Sequence, residues 1–335
     1  MSATIKDVAK RANVSLSTVS LVINNKKNIS PDTVNKVRKA IEELDYHPRH
    51  SARGLASKKS GNIGFILTED HFSRAEPFYT KIFLGTEFQA RQHNYYIILT
   101  TVKRNFSKKS IPRFLLERNV DGVILAGHVP DALITFINKN YDIPVVYIDY
   151  FPPKGQSCAV LIDNDEGARM AVEHLIDRGH QHIAFIGGEY SHPSIYSRYF
   201  GYTQALSRAG IQVNDKIVIK DEHNTGEENG YNATCTLLQT GEKFTAIFAG
   251  NDAMAFGCMQ CLKRQNIPVP EKVALVGFDD VDVARQMEPR LTTIRINKEE
   301  MGAIAVKNMV DMISDDKNNF GKNIVPVELV VRDST

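Results

Sequence analysis

Four cysteines in 335 residues, at positions 158, 235, 258 and 261, are too few and too unevenly placed for a disulfide framework. That scarcity fits a reducing compartment. Long apolar runs are missing too. The longest, such as GFIL and VVYI, fall far short of the roughly 20 residues that a membrane-spanning helix needs. Lys6 and Asp7 stand where an export signal would place its apolar region, so the chain is expected in the cytoplasm, with no membrane partner. No glycine-rich loop precedes a helix to cradle phosphate, and no Ser-His-Asp or Cys-His spacing stands out. The expectation is a protein that is no enzyme, with no catalytic residue, no cofactor and no metal. Cys258 and Cys261 do read as CxxC, but NDAMAFGCMQCLKRQ around them is an apolar helical pattern. No second close pair completes a four-ligand zinc site, so both are expected to be small buried core residues.

Net charge is nearly absent at +2, yet it is unevenly spread. Residues 1–60 hold 12 Lys/Arg against 5 Asp/Glu, a net of +7, while residues 61–335 hold 29 against 34, a net of −5. A basic head on an acidic body is the distribution expected when only the head meets phosphate. The length calls for two or three domains, and 42% apolar with 24% charged residues is ordinary for a soluble globular chain.

The head reads as three short helices. Thr4 can cap a helix over 5–12, with Asp7 completing a capping-box pattern. Asn13-Val14-Ser15 makes a tight turn, and Ser15 can cap a second helix running to Asn24. On that helix Val19, Val22 and Ile23 recur at helical spacing toward a core, which leaves Leu16, Ser17, Ser20 and Leu21 on the opposite surface. Ser30 caps a third helix with Pro31 at its first position. Val34, Val37, Ile41 and Leu44 complete the core, and Pro48 stops the helix near Tyr46. An ordinary helical bundle shows the same pattern; the local charge favours a helix-turn-helix domain with its second helix in the DNA major groove.

Residues 50–57, HSARGLAS, are too short for an independent helix and contain Gly54. They are expected to fold only when a second copy and DNA supply contacts. Leu55 then suits a wedge entering base steps from the minor groove. A flexible linker with an incidental leucine is the plainer alternative.

TIKDVAKRANVS, TVSLVIN and ARGLASKK, at their spacing, resemble the helix-turn-helix and hinge motifs of the lactose/galactose repressor family of bacterial transcription regulators. The resemblance runs from Thr4 to the C-terminal VVRDST. It implies that Leu16 and Ser17 read bases and that Thr18 and Ser20 lie near phosphates. It also implies that Leu55 intercalates and that Ala52 sits beside the minor groove. Thr4, Ser15, Leu21, Asn24 and Arg53 complete the candidate DNA-binding set. Members of the family often carry Arg where this chain has Leu21.

From Gly61 onward, short apolar runs alternate with helical patterns. Strands are expected at 63–67, 95–100, 122–126, 145–149, 160–163, 183–187, 246–250, 273–278 and 324–331. Helices are expected at 78–93, 131–140, 165–178, 194–209, 228–240 and 252–265. The alternation argues for parallel sheets with right-handed crossovers, read twice. The expected fold is therefore an N-terminal all-α helix-turn-helix domain plus an α/β body of two doubly wound lobes. By resemblance that body is like a periplasmic binding protein. The expected division is 1–48 for the head, 49–60 for the hinge and 61–335 for an effector-binding and dimerisation domain. Its first lobe takes 61–161 plus 292–321 and its second takes 162–291 plus 322–335.

Ligands of such sheets bind beyond the C-terminal strand ends, where Thr68, Thr100, Asp149, Asp163, Asn164, Asn251, Asp252, Asp279 and Asp280 stand. The resemblance singles out Arg198, Asn251, Asp279 and Asp149 as effector contacts. Carboxylates, an amide and a guanidinium suit vicinal hydroxyls, and Phe78, Tyr79, Tyr150 and Tyr196 could cover a sugar face. Asp163 and Asn164 read instead as a cap or an interlobe contact, and His180 and His182 as structural.

The function expected is a sequence-specific DNA-binding transcription regulator, a repressor of a carbohydrate-utilisation operon. A small-molecule effector, a sugar, would control it from the interlobe cleft. A nucleobase sensor or a regulator using a protein corepressor is the alternative within the family. A transporter's solute-binding protein is the rival class, and it lacks a use for the basic head. Expected partners are a near-palindromic double-stranded operator and a second copy of the chain. No heptad tail follows the last expected strand, which favours a homodimer over a tail-linked tetramer. Leucine cannot hydrogen-bond a base, whereas arginine donates twice to guanine. Leu21→Arg is accordingly expected to shift preference toward guanine at one half-site position. Selection from randomised duplexes measures this, and an unchanged base preference would count against the placement of Leu21.

Overall fold

The computed structural model describes residues 3–23, 29–46, 59–69, 78–152, 157–188, 193–222, 224–314 and 321–335. The chain divides into two compact units, Met1–Asn62 with Phe114–Asp121, and Ile63–Arg113 with Gly122–Thr335.

In the first unit the helices are Ile5–Ala12, Leu16–Ile23 and Pro31–Glu43. Thr4 and Asp7 cap the first reciprocally, with the Thr4 N–H donating to Asp7 Oδ2 at 2.8 Å. Asn13 ends that helix in the left-handed region, φ 51°, and turns the chain. Ser15 Oγ then accepts from the Thr18 N–H at 3.0 Å to open the second helix. Ser30 Oγ accepts from the Thr33 N–H, with Pro31 as the first helical residue. Val8, Ala12, Val19, Val22, Val37, Ala40 and Tyr46 are buried together, with Ile23, Val34, Ile41 and Leu44 packed against them. The third helix stops at Glu43, where Asp45 turns left-handed and the Tyr46 N–H returns to Ile41 O. Asn24, Ala52, Arg53 and Leu55 lie outside the described residues.

The second unit contains two six-stranded sheets, ordered β11-β5-β4-β3-β1-β2 and β12-β10-β9-β8-β6-β7. In chain order the strands are β1 (Asn62–Thr68), β2 (Tyr96–Val102), β3 (Gly122–Ala126), β4 (Val145–Ile148), β5 (Cys158–Ile162) and β6 (Ile183–Gly188). They continue as β7 (Val218–Glu222), β8 (Ala246–Ala249), β9 (Ala274–Asp279), β10 (Thr292–Ile296), β11 (Gly321–Val325) and β12 (Val327–Val330). Strands such as GVILA and AIFA are buried along their whole length, as parallel strands covered on both faces must be. The one antiparallel pairing described is β10 with β12.

Two details differ from the sequence expectation. The expected strand over 324–331 is two strands in different sheets, because Pro326 interrupts the ladder: β11 pairs with β5 and β12 with β10. The segment from 292, assigned by sequence to the first lobe, begins with β10. That strand lies in the second sheet, Thr292 opposite Val276. The chain thus passes between the sheets after β5, after β10 and at Pro326. Strands β7 and β10 and the helix Lys298–Ser314 were not legible by periodicity.

Lys298–Ser314 packs on Phe78–Gln92 through facing glycines. A Cβ on Gly85 would meet Glu299 O at 2.0 Å, and one on Gly302 would meet Ile82 O at 2.1 Å. Backbone stands on both sides, so no side chain can yield. Gly302→Ala is expected to lower the unfolding free energy by about 1–3 kcal/mol. Gly321→Ala, where nothing lies within 4 Å, is expected to stay within about 0.5 kcal/mol of the parent. Urea denaturation distinguishes them, and equal midpoints would show that the helix seam has room for a methyl group.

Candidate functional site

The second helix of the head carries no charged residue, LSTVSLVI, and packs through Val19 and Val22. Its outer surface holds Leu16 and Leu21, each 45% exposed, and exposed Ser17, with Ser20 half-buried. Ser15, Ser17 and Thr18 join hydroxyls around the helix N-terminus, Ser15 to Ser17 at 2.7 Å and to Thr18 at 2.8 Å. Thr4 is exposed at the start of the first helix. An N-terminus without a first-turn acid favours anions, and two leucines left in water beside it form an apolar contact surface.

In the second unit, the strand ends gather a buried polar network. Arg198, 5% exposed on the helix Pro193–Arg208, is its centre. Nε donates to Asn164 Oδ1 at 2.8 Å, Nη1 to Gly250 O at 2.5 Å, and Nη2 to Asp279 Oδ1 at 3.4 Å. Its guanidinium carbon lies 3.8 Å from the centre of the Phe278 ring. Three of five N–H groups are engaged in these bonds, and the plane is fixed from one side by the ring.

Asp149 forms the second group. It follows β4 at φ 57° and accepts from Tyr79 Oη and Ser194 Oγ, each at 2.9 Å. Tyr79 belongs to the helix after β1 and Ser194 to the helix after β6, so one carboxylate ties the two lobes. Burial first, then the Asp149 charge, pushes the Tyr79 phenol up, keeping it a neutral donor.

Asp279 ends β9 at φ 116°, an unusual angle for a residue with a Cβ, and its carbonyl accepts from Lys298 Nζ. Burial raises the Asp279 carboxyl while Arg198 and Lys298 oppose that rise. Next to it, burial works against the charge of Asp280. Hydrogen bonds from Arg332 and Arg295 outweigh burial and hold that carboxyl below its ordinary value. Lys81 also bridges the lobes, reaching Asp282 at 2.9 Å. The crossover segments 296–298 and 326–328 run beside a cavity of about 490 Å³.

The network gathers Tyr79, Asp149, Arg198 and Asp279 from the residues singled out by sequence. Asn251 is committed to structure: Oδ1 caps Met254 N–H at 2.8 Å and Nδ2 donates to Thr225 O at 3.0 Å. Phe78 meets Tyr79 edge-on at 4.9 Å, whereas Tyr196 is 54% exposed. Asp163 caps its helix through Glu166 N–H, but Asn164 contacts Arg198. Ser194, Gly250 and Lys298 were missed, and Asp252 was placed at a strand end without being singled out as a contact. For Asp252 a polar residue after a strand was the signal; Ser194 sits at the start of a helix that periodicity did mark, whereas the helix opening at Lys298 carried no such mark. His180, joined to Thr245 Oγ1 at 2.9 Å, is structural.

Residues 4–49 match the family described as bacterial regulatory proteins, lacI family, and residues 172–335 match the periplasmic binding protein-like domain. The chain is 32% identical to catabolite control protein A of Priestia megaterium over 100% of both chains. It is similar to the lac repressor dimer bound to operator and the anti-inducer ONPF, with a TM-score of 0.83, 28% identity, and coverage of 100% of this chain and 99% of that one. It is also similar to the transcriptional regulator CelR in complex with cellobiose, with a TM-score of 0.77, 30% identity, and coverage of 99% and 100%.

Asp252 supplies a pH test of this network. Its carboxyl is fully buried and accepts from Thr293 Oγ1 at 2.5 Å and Val281 N–H at 2.9 Å. Burial chiefly, with the charge of Asp279, pushes it up to about 8 from an ordinary 3.8. Between about pH 4 and pH 8 the unfolded chain has released a proton that the folded chain still holds. That contribution makes stability fall as pH rises through the window and level off above it. Asp252→Asn is expected to remove this slope in unfolding free energies measured from pH 4 to 8. Identical slopes would mean the carboxyl is ionised in the folded protein.

Proposed function

The chain belongs to the lacI family of bacterial regulatory proteins, DNA-binding regulators of transcription, and from that premise we propose that it is a repressor whose operator affinity is set by a sugar bound between the two lobes. The observation carrying this reading is the buried Arg198–Asp279–Asp149 constellation at the strand ends. Two carboxylates accept only, and the guanidinium donates only. Asp149 has about four acceptor positions and uses two, so ligand hydroxyls can add to it or replace Ser194. A molecule with several neighbouring hydroxyls fits such a set.

The proposed dimer presents two heads to a near-palindromic operator, Leu16 and Ser17 reading bases and Ser15, Thr18 and Ser20 facing the backbone. Each interlobe hydrogen bond is worth about 1 kcal/mol net, and the half-exposed Lys81–Asp282 pair about 0–1 kcal/mol. Together they bias the lobes by a few kcal/mol, the size of gap that a ligand with unequal affinity for two arrangements can overturn. The proposed coupling runs through the hinge: lobe movement would change the separation of the two copies' 50–57 segments. The ligand must then change operator affinity by the same factor that operator changes ligand affinity. The proposed domains are the head 1–48, the hinge 49–60 and the two-lobed remainder.

Fluorescence anisotropy with an operator selected from random duplexes, read against a panel of sugars, sugar phosphates and nucleobases, tests this. A sugar is expected to change the operator Kd by about 5–150-fold. Arg198→Ala is expected to bind the operator with the parent's ligand-free affinity and to lose that response. A nucleobase response would overturn the sugar assignment, and the absence of any selected duplex would overturn the regulator.

A further inference from the structure

Cys235 and Cys261 bring their sulfur atoms to 3.0 Å, across the seam between the helices Glu227–Gln239 and Asp252–Arg264. Both helices connect parallel strands of one sheet, so they run in the same direction. Glycines close the seam. A Cβ on Gly230 would meet Met254 O at 2.1 Å, and one on Gly257 would meet Glu227 O at 2.0 Å and Tyr231 N at 2.4 Å. The pairing of Gly257 with Tyr231 recurs one turn later as Cys261 with Cys235, because side chains four apart share a helix face. Close backbone packing therefore sets Cys235 and Cys261 facing each other across the seam, where their thiols meet. The CxxC spacing is not the pair: Cys258 Sγ lies 3.8 Å from Gly230 O. Cys258 and Cys261 are buried, and Cys235 is the part-exposed member.

We propose that Cys235 and Cys261 form a reversible oxidation site, which takes peroxide as its oxidant and closes as a disulfide between the two helices. Cys235, reachable from solvent, attacks as thiolate. Its sulfur bonds to one peroxide oxygen, the O–O bond breaks, and hydroxide leaves to become water. The Cys261 sulfur then attacks the resulting sulfenic sulfur. The S–S bond forms, the S–O bond breaks, and the departing hydroxide takes the Cys261 proton as water. Two thiols lose two electrons and two protons, and one hydrogen peroxide becomes two waters. Cys261 is buried while Cys235 is part-exposed, so peroxide meets Cys235 first and Cys261, already at 3.0 Å, resolves the intermediate. The near ends of these helices already meet where Asn251 Nδ2 donates to Thr225 O, and the disulfide fastens the far ends.

The test treats the full chain with hydrogen peroxide, alkylates it under denaturing conditions, and maps peptides by mass spectrometry without reductant. The expected product is one cross-linked pair holding Cys235 and Cys261, two hydrogens lighter and released by dithiothreitol, with Cys158 and Cys258 alkylated. In Cys261→Ser and Cys261→Ala the Cys235 sulfenic acid persists, and dimedone labels it several-fold more than in the parent. A disulfide between other positions, full alkylation of both thiols, or equal dimedone labelling in parent and variants would overturn the proposal.

Discussion

A positive charge held out of water has to be answered within the protein, and Arg198 imposes that requirement on one end of the second sheet. The carbonyl at the end of β8, the carboxylate at the end of β9, the first residue of the helix Asn164–Asp177 and the Phe278 ring all turn toward it. Removing one partner of such a group costs more than the bond itself, because the other stays buried and unmatched. The unusual backbone of Asp279 is held by the Lys298 ammonium on its carbonyl. Strand ends that would otherwise be separate loops are fixed as one polar floor.

Legibility of the chain in its sequence followed the strength of the local signal. Capping at Thr4, Ser15 and Ser30, and the valines at 8, 19, 22 and 37, report three or four residues of nearby chain, and the head could be written down from them. Runs such as GVILA and AIFA report burial on both faces, and their shortness fits covered parallel strands. The signal fails where partner and periodicity are remote. Val218–Glu222 ends in charge, and Thr292–Ile296 is a run of five with only two strongly apolar residues, so each needs its sheet to identify it. Pro326 was visible, but a proline does not say that the two halves of a strand will go to different sheets.

The candidate site shows the same limit. Asp149, Arg198 and Asp279 could be named from motif position, but their mutual answer could not. Asn164 read as a cap or an interlobe contact, and it contacts the arginine across 34 positions of sequence. Asn251 looked like a ligand group, and both its polar atoms are engaged by backbone. A side chain's type bounds what it can bond; only the fold decides which bonds are still open.

Because β11 and β12, each one edge of its sheet, follow all the other strands in the chain, neither sheet is finished until they have been made. Until then β5 and β10 each lack the strand that pairs with one of their edges. Emerging edges of that kind recruit strands from neighbouring chains. A chain cut short between residue 162 and residue 330 would keep at least one such edge open.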